Sequence, residues 1–486
     1  MKKVISTAWL LALGAWLAGC GGSEPKLDAR WRFAGADGLR AQTAAPALQK
    51  VLSGPAAAAL GSRLATNAGS AFAGFVAGGP ATPEAGALAM PLVGDLLDHE
   101  SAGEVWRHSD GSTELLLAVK VTAERAALWT ENFPKWVRPL HAGTSGASVS
   151  AEGGWLFAMS RSGSALAADF RRRVSTPSTV SGRLLELETA AGKLPGIQAT
   201  VVASNGAVRW NGTLRTAVAA AIPTSEWSYP TNLIGDSVIA FTAARGLVAP
   251  LLEQAGLAEL IQGGELSQMY LWSQPETPFS TYGVVHADKP AQLISRVHDW
   301  IRPQFSTNAT PGTRQGLVMY DPTRQILALS SAPVATPTLA GPTNGQPGFV
   351  GLSFVGLNRS KGPLPKELLA ELLKPGVLYY DWEMTSENIA HWSAGLQVKD
   401  ISAGLRPPPA EGPGRRFLEE SAPYLENAVT VVSQKSPGVF ELQRKTTVGL
   451  TSFELVLLTR WLDPPTARPA RPARPAPPGA ATQKSR

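Results

Sequence analysis

The chain of 486 residues contains a single cysteine, Cys20. One cysteine cannot form an internal disulfide, nor can it supply the several thiolates of a zinc or iron–sulfur cluster. A chain of this length can bury enough apolar surface to fold without disulfides. The lone thiol is therefore free for some other use, which its sequence context has to indicate.

The sequence also lacks the local motifs of common enzyme classes. It contains no Gly-x-Ser-x-Gly elbow, phosphate-binding loop, dinucleotide-type glycine turn or His-Glu-x-x-His pair. The histidines show no pair four residues apart and no acid at ligand spacing, which disfavours a metal site; they are His99, His108, His141, His286, His298 and His391. We therefore expect no metal and no cofactor. A non-enzymatic protein is favoured, although dispersed catalytic groups would leave no such motif.

The first residues have the layout of a bacterial secretory signal. Lys2 and Lys3 precede an apolar run from Val4 to Gly19, which is shorter than the ~20 residues of a membrane-spanning helix. The closing segment, Leu17-Ala18-Gly19-Cys20, resembles the lipobox of bacterial lipoproteins. That resemblance implies cleavage before Cys20, attachment of a diacylglycerol to its thiol and acylation of the new amino terminus. An ordinary signal peptide with an incidental cysteine is the alternative.

This resemblance predicts a localisation and a domain layout. Residues 1–19 would be the signal and residues 20–27 a lipidated tether, giving an exported protein with a stable lipid anchor. The residue after Cys20 is Gly21 rather than the aspartate that resembles an inner-membrane retention signal. The sequence therefore favours the outer membrane of a Gram-negative cell, with the membrane as one partner and another envelope component as a second.

The formal net charge of +6 comes from the two ends of the chain. Lys2 and Lys3 supply two positive charges and the residues after Asp463 supply five, so residues 20–463 carry about −1. A near-neutral folded part that is exported disfavours a nucleic-acid partner. The tail, residues 464–486, repeats Pro-Ala-Arg and is predicted to be disordered. It could contact anionic lipid, lipopolysaccharide or peptidoglycan, or have no role.

Comparison of the chain with itself indicates two α+β halves, residues 28–225 and 235–462. Seven segments match in the same order, of which the most specific is Trp136-Val137-Arg138-Pro139 with Trp300-Ile301-Arg302-Pro303. The others pair Phe33–Ala41 with Phe241–Ala249, Glu104–Trp106 with Tyr270–Trp272, Val121–Ala127 with Val285–Ala291, Leu156–Ser160 with Ile326–Ser330, Leu184–Glu188 with Tyr379–Glu383, and Thr200–Ala203 with Thr430–Ser433.

Periodicity predicts the elements of each half. Helices are expected over Leu48–Leu64 or Leu247–Leu260, and over Ala123–Val137 or Lys289–Ile301, the latter two ending before a proline. Ser109-Asp110-Gly111 predicts a hairpin turn, and residues 335–348 and 406–414 look like loops. Paired strands interrupted by helices favour an α+β fold with largely antiparallel sheets, two copies of one module. This pattern resembles uncharacterised duplicated α+β families of secreted bacterial proteins.

Two sets of residues are candidates for a site. Trp136 with Arg138, and Trp300 with Arg302, could stack on and grip an anionic ligand; alternatively the tryptophans pack on the sheet and the arginines interact with a helix C-terminus. Glu186 with Glu188, and Asp381 with Glu383, could act as paired acids and bases. Their alternation along strands more simply predicts a solvated face.

Three functions follow from these observations. The preferred one is a lipid-anchored, non-enzymatic scaffold or binding protein of the envelope. The second is a carrier of a lipid or other apolar molecule in a groove between the halves. The third is a hydrolase in which a serine or carboxylate meets His141, His286, His298 or His391.

Overall fold

The structure is a computed structural model that describes residues 24–140, 146–176, 180–190, 196–216, 226–230, 233–234, 237–247, 266–275, 281–306, 314–330, 338–341, 348–353, 366–409 and 411–467. Within these residues eleven α-helices accompany a large antiparallel sheet of eighteen strands. The α+β class expected from the sequence is confirmed. Cys20, His141, residues 248–260 of the expected helix and the tail from residue 468 lie outside the described residues.

Among the described residues, four helices follow the first strand, and single helices interrupt the strands after that. The helices are α1 (Gly35–Arg40), α2 (Pro46–Ser53), α3 (Pro55–Ala77), α4 (Pro83–Asp98), α5 (Ala123–Trp136), α6 (Ala165–Ser175), α7 (Pro290–Ile301), α8 (Lys366–Leu372), α9 (Thr385–Ser402), α10 (Pro413–Ser421) and α11 (Ser452–Leu462). The strands are β1 (Lys26–Phe33), β2 (Ser101–Arg107), β3 (Thr113–Val119), β4 (Ser148–Glu152), β5 (Trp155–Met159), β6 (Arg183–Thr189), β7 (Gly196–Ser204), β8 (Ala207–Arg215), β9 (Ala240–Arg245), β10 (Leu266–Ser273), β11 (Thr281–Ala287), β12 (Phe305–Ser306), β13 (Arg314–Gln315), β14 (Leu317–Asp321), β15 (Ile326–Ser330), β16 (Thr338–Ala340), β17 (Phe349–Ser353), β18 (Val377–Met384), β19 (Leu405–Arg406), β20 (Asn427–Ser436), β21 (Val439–Thr446) and β22 (Thr466–Ala467).

The large sheet is continuous through both halves of the chain. Strand pairing gives the spatial order β4-β5-β3-β2-β1-β6-β7-β8 for the first half. The second half continues as β21-β20-β18-β9-β10-β11-β17-β16-β15-β14. β8 and β21 join the halves through eight residue pairs, from Val439 opposite Arg215 to Thr446 opposite Val208.

The strand order outward from this junction is the same on both sides for seven strands. On one side, the order outward from the junction is β8, β7, β6, β1, β2, β3 and β5. The corresponding strands on the other side are, in the same order, β21, β20, β18, β9, β10, β11 and β17. Not every matched segment keeps its place. The Leu156–Ser160 match fails because β5 adjoins β3, whereas β15 is separated from β11 by β16 and β17.

The strand register also shows that one pair of matched residues, Phe33 and Phe241, does not occupy equivalent positions in the sheet. Phe33 lies opposite Leu185, whereas Phe241 lies opposite Trp382, the residue matched to Leu187. The two phenylalanines are therefore not equivalent, because strand pairing is set by the hydrophobic face and not by local similarity.

Helices cover both faces of the first half. On one face α4 and α5 pack against β1–β3 and β5, with Trp129 and Phe133 fully buried. On the other face α6 packs Phe170 edge-on against Phe157 of β5. In the second half α8 packs against Tyr380 and its neighbours, while α2, α3, α9, α10 and α11 share a separate apolar cluster. The sheet is thus the middle layer of an α/β/α arrangement.

The β2–β3 turn and the ends of α5 and α7 were confirmed, and three other local expectations were wrong in part. The Asp110 side chain accepts a hydrogen bond from the Ser112 backbone N–H (2.8 Å), and Gly111 has φ +80°, which makes the β2–β3 turn. The helix expected over Leu48–Leu64 is two helices, because Pro55 starts a new helix after the extended Gly54. The loop expected at residues 335–348 contains strand β16, which pairs with β15 and β17. The loop expected at residues 406–414 includes Arg406 of β19 and the first two residues of α10.

Candidate functional site in the second half of the sheet

A row of polar side chains crosses five strands of the second half and the junction. Thr242 on β9, Asp381 on β18, Thr430 on β20 and Arg444 on β21 lie directly opposite one another, followed by Trp210 on β8. Residues directly opposite in a ladder share one face of the sheet. The pairing therefore gathers residues that are up to about 230 positions apart in the chain into one polar row, in which Thr430 is buried and the others are half-buried.

Asp381 is the unusual acid of this row. Its Oδ1 accepts a hydrogen bond from Thr242 Oγ1 at 2.6 Å, and the residue keeps only partial contact with solvent. Burial raises the pKa of Asp381 to about 6, outweighing the stabilising effects of Thr242 and Arg444, while the nearby Glu383 and Glu454 carboxylates also raise it. This carboxyl group titrates close to neutral pH.

Glu383, two residues further along β18, is 3% exposed and fully occupied by donors. It accepts hydrogen bonds from the Ser452 backbone N–H (2.5 Å), the Ser452 hydroxyl and Asn388 Nδ2 (2.8 Å), with Thr385 Oγ1 at 3.3 Å. Thr385 and Ser452 are the first residues of α9 and α11. The N-termini of two helices therefore meet at one carboxylate, and the backbone N–H of Ser452 at the start of α11 donates to it.

Arg444 fastens the start of α11 to β21. Its Nη1 donates to both Glu454 oxygens (3.0 and 2.8 Å), and its Nε donates to Thr430 Oγ1 (3.0 Å). Glu454 also accepts from the Thr451 backbone N–H (3.0 Å) in a capping box. The guanidinium carbon lies 5.9 Å from the centre of the Trp210 ring. Asp381, Glu383, Glu454 and Arg444 thus share this region, and burial raises the pKa of Asp381.

These positions correct the sequence expectation for the paired acids. Glu186 and Glu188 have side chains 39% and 44% exposed, as a solvated face predicts. The expectation is wrong for Asp381 and Glu383, because α9 and α11 cover the face of β18 on which they lie. Period-two alternation places two side chains on one face but carries no information about what covers it.

A second buried acid lies in the first half. Glu104 of β2 is 1% exposed and accepts hydrogen bonds from Arg30 Nε (2.8 Å), Arg173 Nη2 (2.7 Å) and Trp106 Nε1 (2.9 Å). Arg30 also approaches Glu188 at 3.3 Å. Glu104 therefore ties β1 and α6 to the sheet through charge-assisted hydrogen bonds.

A third buried acid is Glu114 of β3, which has no exposed surface. Its two oxygens meet His108 Nε2 at 2.9 Å and the Ser164 hydroxyl at 2.5 Å. The carboxylate stands between the histidine and the serine, whereas nucleophilic catalysis needs the histidine in the middle. Ser164 also caps α6 by accepting from the Ala167 backbone N–H, so this trio anchors a helix to a hairpin.

The two tryptophan–arginine motifs occupy the same local place but different environments. In each, the helix ends at or just after the tryptophan, and the arginine starts a short 3-10 turn, Arg138–Leu140 and Arg302–Gln304. Trp136 is 2% exposed inside the core, whereas Trp300 is 37% exposed. Arg138 and Arg302 are both exposed. A buried Trp136 favours the packing interpretation over ligand stacking in the first half.

One serine–histidine contact exists among the described residues named by the hydrolase hypothesis. Ser267 Oγ lies 3.1 Å from Nδ1 of His286, between β10 and β11. His298 instead stacks on Tyr320 and approaches its own neighbour, Asp299, at 3.0 Å. No group of three or more histidine, cysteine or acidic side chains within the described residues could hold a metal ion.

The boundary between the halves is a ladder of backbone hydrogen bonds. The eight residue pairs of β8 and β21 join the strands of the two halves edge to edge in one sheet. No helix within the described residues is both long and apolar enough to cross a membrane.

Searches against known proteins supply no family for this chain: no family model, curated protein or solved structure matches it. Its function has to be argued from its own residues.

Proposed function

We propose that this protein is an exported lipoprotein, anchored in a membrane by lipid on Cys20, whose folded part is a non-catalytic binding scaffold of the cell envelope. The observation that carries the proposal is the lipobox-like Leu17-Ala18-Gly19-Cys20, which ends six residues before Lys26, the first residue of β1. A diacylglycerol together with an acylated amino terminus provides stable anchoring. The outer membrane is the favoured location, since Gly21 follows the cysteine.

The use of the buried charged groups supports a scaffold. Glu104, Glu114 and Glu383 are each held by donors from other elements of the same fold, at distances typical of structural hydrogen bonds. A carboxylate whose oxygens are occupied in this way stabilises helix docking and is poorly placed to take a proton from a substrate. The partner we propose is therefore another envelope component bound on the surface.

The common strand order on both sides of β8 and β21 supports descent from one duplicated module. We infer that the sheet was extended by pairing two edge strands, which also removed two exposed edges. The Trp136 and Trp300 environments differ, so the halves would present different surfaces to partners.

Metabolic labelling with palmitate tests the anchor directly. Wild-type protein should incorporate label and fractionate with the outer membrane, and Cys20→Ser should do neither. Cross-linking of intact cells, followed by isolation from detergent, tests the scaffold. Recovery of the same envelope component with the wild type, and its loss with the unanchored Cys20→Ser protein, is the expected result; label on Cys20→Ser would contradict the proposal.

A second candidate, a hydrolase, is favoured only by the contact between Ser267 and His286. A fluorophosphonate probe that reacts with an activated serine distinguishes it. Labelling that is present in the wild type, lost in Ser267→Ala and retained in Ser109→Ala would support this candidate. Absence of labelling in the folded wild-type protein would remove it.

A further inference from the structure

We propose that one end of the sheet in the first half, the end at which β1 begins, faces the lipid surface. This end, the proximal end, consists of Lys26, Arg107 at the end of β2, and the exposed turn Ser109-Asp110-Gly111. The proposal rests on lipid attachment at Cys20 and adds to it the part of the fold that touches the membrane.

The length of the tether sets how far this end can stand from the bilayer. Cys20 and Lys26 are six residues apart, which allows at most ~20 Å even for a fully extended chain at ~3.3–3.6 Å per residue. Glu24, Pro25 and Lys26, the first described residues of the chain, are all exposed. The start of β1 is therefore the part of the described fold held nearest the lipid.

Strand register shows which residues share that end. Lys26 lies opposite Arg107, and β2 then turns through residues 108–112 into Thr113 of β3. The other end of the same strands carries Phe33 opposite Ser101, next to the turn between β4 and β5. β2 has seven residues, which at ~3.3 Å per residue separates the two ends by about 20 Å.

The chemistry of the proximal end fits lipid head groups. Its turn contains serine, aspartate and glycine and no apolar side chain, so it has nothing to insert among acyl chains. Lys26 is exposed and can approach phosphate, whereas Arg107 donates to Asp28 at 3.0 Å. Helices α4, α5 and α6 cover the two faces of this half, so an upright sheet directs its turns and strand ends, and not its faces, towards the lipid.

Energy transfer to labelled lipid tests this orientation in the full-length, lipid-anchored protein. Acylation of Cys20 would leave an engineered cysteine as the single free thiol, so Ser109→Cys and Ala151→Cys can each carry one donor dye. Both residues are small and exposed; Ser109 is in the proximal turn and Ala151 is near the opposite end. The acceptor is a head-group-labelled phospholipid in vesicles of phosphatidylethanolamine and phosphatidylglycerol.

We expect transfer from position 109 to be several-fold stronger than from position 151. Equal transfer from the two positions, or stronger transfer from position 151, would overturn the orientation while palmitate incorporation still supported the anchor. Loss of palmitate incorporation in the unsubstituted protein would instead overturn the anchor, and the orientation with it. Adding Cys20→Ser to each labelled variant should abolish transfer from both positions.

Discussion

Replacing Asp381 by asparagine should make the protein more stable at neutral pH. Asparagine has nearly the shape of aspartate, and its carbonyl oxygen can still accept the hydrogen bond that Thr242 donates at 2.6 Å. The change removes a charge from a place where burial raises the pKa to about 6 from an ordinary 3.8. The substitution thus replaces a charged side chain, whose burial lowers the free energy of unfolding at pH 7, by a neutral side chain that fills the same space.

The direction in which stability changes with pH follows from whether the folded or the unfolded chain binds the proton of Asp381. Between pH 3.8 and about 6 the folded protein holds a proton on Asp381 that the unfolded chain has released. The free energy of unfolding therefore falls as pH rises through this window, and it stays low above it. A shift of about two pKa units corresponds to ~3 kcal/mol at ~1.36 kcal/mol per unit. The partial solvent contact of Asp381 and the new amide hydrogens near Arg444 reduce the gain, so we expect ~1–3 kcal/mol.

Urea unfolding of the detergent-solubilised protein, followed by tryptophan fluorescence at pH 4 to 8, measures this effect. Asp381→Asn should match the wild type near pH 4 and exceed it above pH 7. The control is Asp169→Asn on α6, an exposed acid paired with Arg172 at 2.9 Å, which should change stability by less than ~0.5 kcal/mol. If the curves of wild type and Asp381→Asn run parallel across the pH range, Asp381 does not carry the raised pKa and the site loses its distinguishing property.

Further substitutions test the packing by the same unfolding assay. Trp136→Ala should lower the free energy of unfolding by ~3–5 kcal/mol because its indole is buried, whereas Trp300→Ala should cost less than ~1 kcal/mol; similar losses at both would contradict the assigned environments. Gly103→Ala should cost ~1–3 kcal/mol or more, since its methyl group would lie 2.2 Å from the Trp31 ring, and Trp31→Ala should relieve that clash. Glu104→Gln should lower the free energy of unfolding by about 2 kcal/mol. This is less than the ~3–5 kcal/mol expected when a fully buried ion pair is broken, because the two arginines that pair with Glu104 are over one-third exposed. An unchanged free energy of unfolding would show that the attraction between Glu104 and these arginines contributes nothing.

Local chemistry was predictable from the sequence. The β2–β3 turn follows from Asp110 and Gly111, whose side-chain hydrogen bond and positive φ are properties of those residues alone. Helices α5 and α7 stop before Pro139 and Pro303, as expected. The capping box at Thr451 and Glu454 was also readable, as a Thr-x-x-Glu pattern at the start of α11, and it would have pointed towards the polar row.

Partners far apart in the chain could not be read from it. Thr242 and Asp381 are separated by 139 positions, and Glu383 meets Ser452 across 69. Neither contact leaves a local signal, because each depends on which strands pair and on which helices dock above them. The Ser267–His286 contact likewise appears only when β10 pairs with β11.

The sequence by itself determined the α+β class, the β2–β3 turn and the ends of α5 and α7, since each depends on backbone preferences or on residues within a few positions. Tertiary structure alone decided that β8 would join β21, and which side chains the helices would cover. Glu186 and Asp381 show the difference. Both alternate with apolar neighbours on strands of equivalent place, yet one is half-exposed and the other titrates near pH 6. The physical reason is that alternation assigns side chains to a face, while burial depends on what packs against that face.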